Sequence, residues 1–219
     1  MLISFKKKFI FFKNIKAAST SLFTFFSQFC VPYKIKKSNQ FQAPEFSLIG
    51  NYKTGIVGYE KKRSCEAAKI IKITNNINKN IWKEYFKFTS IRNPWDKMVS
   101  CYFYFKNEKR KEEKTKNFID FIEWRYEKYL NEGSMISYTI KKEFICDYHI
   151  RYENFKNDLK HVFNILNINL SKFEYFPEIN KNIQYEKEKK DYRKFYNNYT
   201  RDLVEKIYKN KIDYFKYEF

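Results

Sequence analysis

The pattern of apolar positions near the amino end of the chain predicts a strand followed by a helix. Residues 9–12 are four apolar residues in a row that stop at Lys13, and a short run without polar alternation is typical of a parallel strand buried on both faces. A small, hydroxyl-rich turn follows. After it, apolar side chains recur at helical spacing: Leu22, Phe23, Phe25, Phe26 and Phe29. Strand, turn and helix in this order are typical of the opening of a nucleotide-binding α/β unit.

A second strand and helix are predicted farther along the chain. Residues 85–91 are rich in β-favouring residues and end at Arg92, so they predict a strand. Asn93 suits the N-cap of the next helix, Pro94 its first position, and Asp96 its first turn, where the helix dipole favours an acid. This helix should run to about residue 105.

The rest of the pattern predicts further strands and helices in an α/β fold. No internal repeat or dividing linker interrupts it, so one domain is predicted over residues 1–219. Residues 106–116 are charged and predict a solvated loop or a helix extension. The other predicted elements are strands at 46–49 and 145–152 and helices at 64–73, 118–132, 153–167 and 199–217.

The composition excludes a disordered basic tail but leaves the meaning of the charge open. Hydrophobic residues make up 43% of the chain and aromatic residues 21%, which is enough apolar surface for a core. The formal charge is +19. It is compatible with an anionic partner such as nucleic acid, membrane or nucleotide. It is equally compatible with the lysine-rich composition that AT-rich coding produces.

The cysteines and the first residues predict a cytoplasmic protein without a structural metal. Four cysteines stand far apart, and only two histidines occur, so no zinc or disulfide framework is indicated. Lysines at positions 6, 7, 8 and 13 interrupt the first apolar segment, which therefore lacks the pattern of a signal peptide or a membrane span.

The turn after the first strand has the composition of an anion-binding loop. Small side chains at Ala17 and Ala18 let the backbone approach an oxyanion, and Lys16 adds a point charge. Hydroxyls at Ser19, Thr20 and Ser21 can donate hydrogen bonds. The triphosphate-binding motif G-x-x-x-x-G-K-[ST] is missing, so the ligand should carry less charge and need no metal. The alternative is that Ser19 is an ordinary helix cap and Lys16 a surface lysine.

Two segments resemble the cofactor-binding signatures of sulfotransferases that use 3′-phosphoadenosine 5′-phosphosulfate (PAPS). They are KAASTSL at 16–22 and YFKFTSIRNPWDKMVSCYFYF at 85–105. The likeness is to the Golgi-type (sulfotransferase family 2-like) carbohydrate sulfotransferases and their bacterial relatives. Segments 147–168 and 191–219 are similar to the family in order and spacing, so the resemblance spans nearly the whole chain.

The resemblance implies a fold, a reaction and residue roles. The fold would be a P-loop-like three-layer α/β sulfotransferase domain, with a central parallel sheet flanked by helices. The chain would move a sulfuryl group from PAPS to a hydroxyl of a carbohydrate or glycolipid. Lys16, with residues 17–21, would grip the 5′-phosphosulfate, and Lys16 would also assist the reaction. Arg92 and Ser100 would bind the 3′-phosphate. Peripheral contact with a membrane is allowed, nucleic acid is not expected as a partner, and no oligomeric state is indicated.

The general base is where the chain departs from the family. Bacterial relatives often carry K-H-x-[ST]-A before the second signature, and the nearest stretch here has Lys62 in place of the histidine. A solvated lysine is protonated at neutral pH. Glu60 or Glu66 is therefore the predicted base, while Lys62 is either part of the catalytic group or binds an acidic acceptor.

The neighbouring motif residues are assigned structural roles. Trp95, Val99 and Tyr102 should pack in the core. Arg151 with Glu153 should form an internal ion pair, and the alternative is a role on the cofactor side. Lys189, Lys190 and Arg193 are predicted to be solvated charges, and the alternative is that they reach the nucleotide from a C-terminal loop. His149 and His161 are predicted to be structural.

Two other functions stay open on the sequence alone. A basic nucleic-acid-binding module would explain the charge and the interleaved aromatic residues, although no recognition motif is present. A small-molecule kinase of the P-loop class would explain the strand and turn, although no Walker lysine pattern is present.

Overall fold

The computed structural model describes residues 1–30, 79–107, 116–132, 139–140, 143–177 and 191–219. They form two compact units, one from Met1–Ile91 and Ile136–Ile179, the other from Arg92–Met135 and Asn180–Phe219. The prediction that residues 1–219 form one domain stays a prediction. The predicted strand at 46–49 and the predicted helix at 64–73 lie outside the described residues.

The first unit contains a four-stranded sheet. The strands in chain order are β1 (Leu2–Ser4), β2 (Phe9–Phe12), β3 (Phe86–Ile91), β4 (Thr139–Ile140), β5 (Glu143–Phe144) and β6 (Tyr148–Arg151). The sheet order is β1-β2-β3-β6, and β4 pairs with β5 apart from it. Strands β2, β3 and β6 are parallel, whereas β1 is antiparallel to β2. The sheet is therefore mostly parallel, in agreement with the predicted parallel sheet, and β1 is its antiparallel strand.

The helices in chain order are α1 (Ser19–Ser27), α2 (Lys79–Glu84), α3 (Pro94–Asn107), α4 (Phe118–Glu132), α5 (Phe155–Ile165) and α6 (Asn198–Phe215). Short 3₁₀ turns occupy Tyr152–Asn154, Leu170–Tyr175 and Tyr192–Phe195. The chain is thus a mixed α/β protein whose sheet is flanked by helices, as predicted. Within the described residues, no helix is both long and apolar enough to cross a bilayer.

Strand β2 is buried on both faces, which confirms the interpretation of its apolar run. All four of its side chains are fully buried. Phe11 lies on one face with Phe88, and Phe12 lies on the other face near Trp82 of α2. When helices cover both faces of a strand, neither face is in contact with water. Its residues are therefore apolar at every position and do not alternate between polar and apolar.

One face of the sheet carries the aromatic core of the first unit. Phe26 of α1 packs edge-on against Phe9 and Phe88, with ring centroids 5.4 and 4.9 Å apart. Phe25 stacks on Phe163 of α5 at 5.0 Å. Helices α1 and α5 therefore cover the same face, and aromatic pairs of this geometry add to the free energy of burial.

Strand β1 was not predicted from the sequence pattern, and neither were α2, β4 and β5. It is three residues long, and its turn back to β2 contains Lys8 at φ 49° instead of the usual glycine or asparagine. The Ser4 hydroxyl accepts the N–H of Lys7 and donates to the carbonyl of Phe29. These bonds hold the turn without a recognisable turn motif.

The second unit is helical in its described residues. Helix α4 packs against α6, and α3 packs against both. Aromatic contacts join them, for example Tyr102 of α3 with Phe118 and Phe121 of α4 at 5.5 and 5.7 Å. Helix α6 begins with a capping box formed by Asn197 and Thr200.

Candidate functional site

The turn between β2 and α1 has an unusual backbone. Lys16 has φ 59° and Ala18 has φ 54°, both in the left-handed region that residues with a Cβ rarely adopt. Such positions cost about 1 kcal/mol or more each and often occur at functional sites. Ala17 lies between them and is fully buried. Because left-handed and right-handed residues in succession turn consecutive N–H groups inwards, this backbone is of the kind that forms anion-binding nests.

Helix α1 starts without a side-chain cap from its N-cap residue. That residue is Ala18, which has no side chain able to accept a hydrogen bond, and the first turn contains no acid. The helix begins at Ser19, so the alternative in which Ser19 is the ordinary N-cap is wrong. An N-terminus with small residues and no negative side chain is suited to an anionic ligand.

The predicted hydroxyls of this turn differ in exposure. Ser19 and Ser21 are 4% and 5% exposed, while Thr20 and Lys16 are half-buried. Lys16 and Thr20 therefore have the better access to a ligand in solution.

Two side-chain hydrogen bonds join the carboxyl ends of β2 and β3. The buried amide of Asn14 donates to the Ser90 carbonyl at 2.7 Å. The Thr89 hydroxyl donates to the Phe12 carbonyl, also at 2.7 Å. Neither Asn14 nor Thr89 could be identified from the sequence, since the bonds connect residues about 76 positions apart. They fix the start of the turn to the neighbouring strand.

Replacing Thr89 by valine should lower the free energy of unfolding by about 1 to 2 kcal/mol, because it leaves the Phe12 carbonyl without its hydroxyl partner. Ser90→Ala is the matched control. The Ser90 hydroxyl is buried and has no hydrogen-bond partner among the described residues, so its removal should cost nothing. Urea unfolding measures both changes. Equal losses for the two variants would contradict the proposed role of Thr89.

The turn after β3 is organised by an arginine and an aspartate. Arg92 is 4% exposed, and its Nε and Nη2 donate to the two carboxylate oxygens of Asp96 at 2.6 and 2.9 Å. A bidentate pair of this kind fixes the plane of the guanidinium. The sequence pattern predicted for Asp96 only a favourable interaction with the helix dipole. The i, i+4 spacing of Arg92 and Asp96 was the signal for the ion pair.

Asn93 is the N-cap of α3, as predicted. Its Oδ1 accepts hydrogen bonds from the backbone N–H groups of Trp95 and Asp96 at 3.0 and 3.4 Å. These two N–H groups are bonded to the cap and are not available to an anion. An anion at this turn therefore has to rely on side chains, first of all Arg92.

Ser100 lies in α3 and is 3% exposed. Its role at the 3′-phosphate stays a prediction. Trp95, Val99 and Tyr102 are buried at 3%, 0% and 6% exposure, which confirms that they belong to the core.

The other predicted site residues are divided between described and undescribed parts of the chain. Glu60, Lys62, Glu66, Lys189 and Lys190 lie outside the described residues, so the identity of the base stays a prediction.

Arg193 forms an exposed ion pair with Asp191 at 2.9 Å, in line with a solvated charge. Of the histidines, His161 is exposed on α5 and His149 is partly buried on β6. The backbone N–H of Arg151 donates a hydrogen bond to the carboxylate of Asp158. The ion pair between the side chains of Arg151 and Glu153 stays a prediction.

The described cysteines are free thiols, and Cys30 is strongly affected by burial. Cys30, Cys101 and Cys146 are free thiols. Burial raises the pKa of Cys30 to about 12, so its thiol stays protonated at neutral pH.

Comparison with known proteins does not assign the chain to a family. No protein family, curated protein or solved structure that was compared with it matches.

Proposed function

We propose that this protein is a PAPS-dependent sulfotransferase that acts on a hydroxyl of a carbohydrate or glycolipid. The observation that carries the proposal is the turn after β2. It combines a half-buried lysine at positive φ, a second positive-φ residue, a helix start without a side-chain cap and no acid in the first turn. The choice of PAPS as donor and of a carbohydrate or glycolipid as acceptor comes from the resemblance of segments 16–22 and 85–105 to sulfotransferase signatures.

The residues of this turn fit a phosphosulfate better than a triphosphate. Ala17 and Ala18 leave the backbone open to an oxyanion, and Lys16 brings one positive charge. A triphosphate carries more charge and is normally held with magnesium by a glycine-rich loop. One lysine and a few hydroxyls suit a ligand with less charge.

Arg92 and Ser100 are proposed to bind the 3′-phosphate of the donor. The guanidinium is oriented by Asp96, and a planar group held in this way matches the geometry of phosphate oxygens. Binding at this end of the donor distinguishes PAPS from nucleotides that lack a 3′-phosphate.

The reaction forms a bond between the acceptor oxygen and sulfur and breaks the bond between sulfur and the 5′-phosphate oxygen. PAPS supplies the sulfuryl group and leaves as adenosine 3′,5′-bisphosphate. Lys16 stabilises the negative charge that develops on the oxygen of the leaving phosphate. The acceptor hydroxyl gives up its proton to Glu60 or Glu66.

We further propose that the fold is P-loop-like with three layers. This is supported by the sequence of buried parallel strand, anion-binding turn and helix, followed by a parallel neighbour in the sheet. It is also supported by side chains of α1 and α2 that contact opposite faces of β2.

The proposal is tested by incubating the protein with ³⁵S-labelled PAPS and a panel of neutral and acidic oligosaccharides and glycolipids, without added metal. We expect label to move to at least one acceptor class, and the transfer to persist in the presence of a chelator. If PAPS neither binds nor reacts, the proposal is wrong.

The two alternatives give different results in parallel assays. A kinase would hydrolyse or transfer from ATP only with magnesium. A nucleic-acid-binding module would bind DNA or RNA with an affinity that falls steeply with salt and does not depend on Arg92.

A further inference from the structure

Lys211 on α6 is buried in the second unit. A buried lysine is rarely found without a partner. Lys211 is 1% exposed, and its ammonium donates a hydrogen bond to the main-chain carbonyl of Arg92. The ammonium also lies 5.9 Å from the ring centroid of Tyr208 and 5.3 Å from that of Tyr217. The carbonyl and the aromatic rings offset the cost of removing the charge from water. The contact thus ties the last described helix to the turn after β3.

Other side-chain contacts hold the same turn from the same part of the chain. The Asn93 amide donates to the carbonyl of Glu218 at 2.9 Å and to the hydroxyl of Tyr192 at 3.3 Å. The indole N–H of Trp95 donates to the carbonyl of Arg201 at 3.1 Å. The turn and the first residues of α3 are therefore fixed by residues 192–218, although these follow them by about a hundred positions.

Arg92 is restrained at both ends by these contacts. Lys211 holds its main chain, and Asp96 holds its guanidinium. An arginine side chain that moves freely loses rotamer entropy when it binds a phosphate, and fixing it in advance removes that cost. The buried ammonium also places positive charge next to the turn.

From this geometry we propose that Lys211 is a positioning residue for the recognition of the 3′-phosphate. It keeps Arg92 in place and so sets the preference for nucleotides that carry a phosphate monoester at the 3′ position. The inference rests on the proposed function, since it assumes that Arg92 binds that group.

The test compares two nucleotides on the full chain by calorimetry: adenosine 3′,5′-bisphosphate and adenosine 5′-monophosphate. Lys211→Met keeps the length of the side chain and removes the ammonium. We expect its affinity for the bisphosphate to fall about tenfold while its affinity for the monophosphate is unchanged. Lys209→Met is the control, since Lys209 is exposed on the same helix and the change in net charge is equal. It should leave both affinities as they are.

The ratio of the two affinities separates positioning from a merely structural role. A general loss of structure would lower the affinity for both nucleotides by the same factor and leave the ratio of the two affinities unchanged. That result would overturn the inference. If Lys211→Met does not fold, Lys211→Leu decides in the same way, because it also removes the donor to the Arg92 carbonyl and keeps an apolar side chain in the buried position. A lower ratio supports the inference, and an unchanged ratio overturns it.

The same data distinguish this inference from the proposed function. A wild-type protein with no preference for the bisphosphate contradicts the proposed function itself. A wild-type preference that Lys211→Met retains contradicts only the role of Lys211.

Discussion

Replacing Lys16 by alanine is expected to reduce sulfuryl transfer by about 10²- to 10³-fold, the size of effect seen when one donor to a developing oxyanion is removed. Lys16 is the charged residue of the segment 16–21, and its proposed task is to stabilise the oxygen of the leaving phosphate. The fold should remain intact, because Ala18 already holds alanine at a similar φ two residues later. Initial rates with labelled PAPS, together with melting temperatures, measure both effects.

Lys8→Ala is the control for this change. Lys8 is also a lysine at positive φ, at 49°, and it is exposed in the turn before β2. The substitution removes the same charge and changes the same kind of backbone position. Its rate should stay close to that of the wild type. If the two variants lose activity equally, the effect is one of net charge, and the role assigned to Lys16 is wrong.

Replacing Arg92 by alanine is expected to abolish binding of adenosine 3′,5′-bisphosphate and also to destabilise the fold. The variant leaves the Asp96 carboxylate, 14% exposed, without its bidentate partner. Loss of one member of a buried ion pair typically costs about 3 to 5 kcal/mol. Lost binding in this variant alone therefore has two explanations. Urea unfolding and calorimetry measure the two effects separately.

The double variant Arg92→Ala with Asp96→Asn separates them. It also removes the negative charge of Asp96, so part of the lost stability should return. Binding of the bisphosphate should still be absent, because no guanidinium is present. Recovery of binding together with stability would show that Arg92 acts on the fold and not on the nucleotide.

Several elements of the fold could be predicted because their signals are local. The apolar run of β2 and the cap at Asn93 each depend on residues within a few positions of one another. Helices α3 and α4 were predicted nearly to their ends, since their apolar spacing and the Asn-Pro start are local as well. Strand β1 was missed because it is short and its turn has no glycine or asparagine.

The parts of the candidate site that were missed depend on contacts over long distances in the sequence. Asn14 reaches the carbonyl of Ser90, and Lys211 reaches that of Arg92. No local pattern marks either residue, and a lysine in a basic chain is normally expected at the surface. The positive φ at Lys16 and Ala18 was equally hidden, since neither residue type favours it.

The proposed function requires that the chain binds a nucleotide through anionic groups at its 5′ and 3′ positions. Calorimetric titration of the wild-type protein with adenosine 3′,5′-bisphosphate and with adenosine 5′-monophosphate measures this binding. We expect one site per chain and a clearly higher affinity for the bisphosphate, with Mg²⁺ having no effect. Absence of binding at millimolar concentration, or equal affinity for both nucleotides, would contradict it.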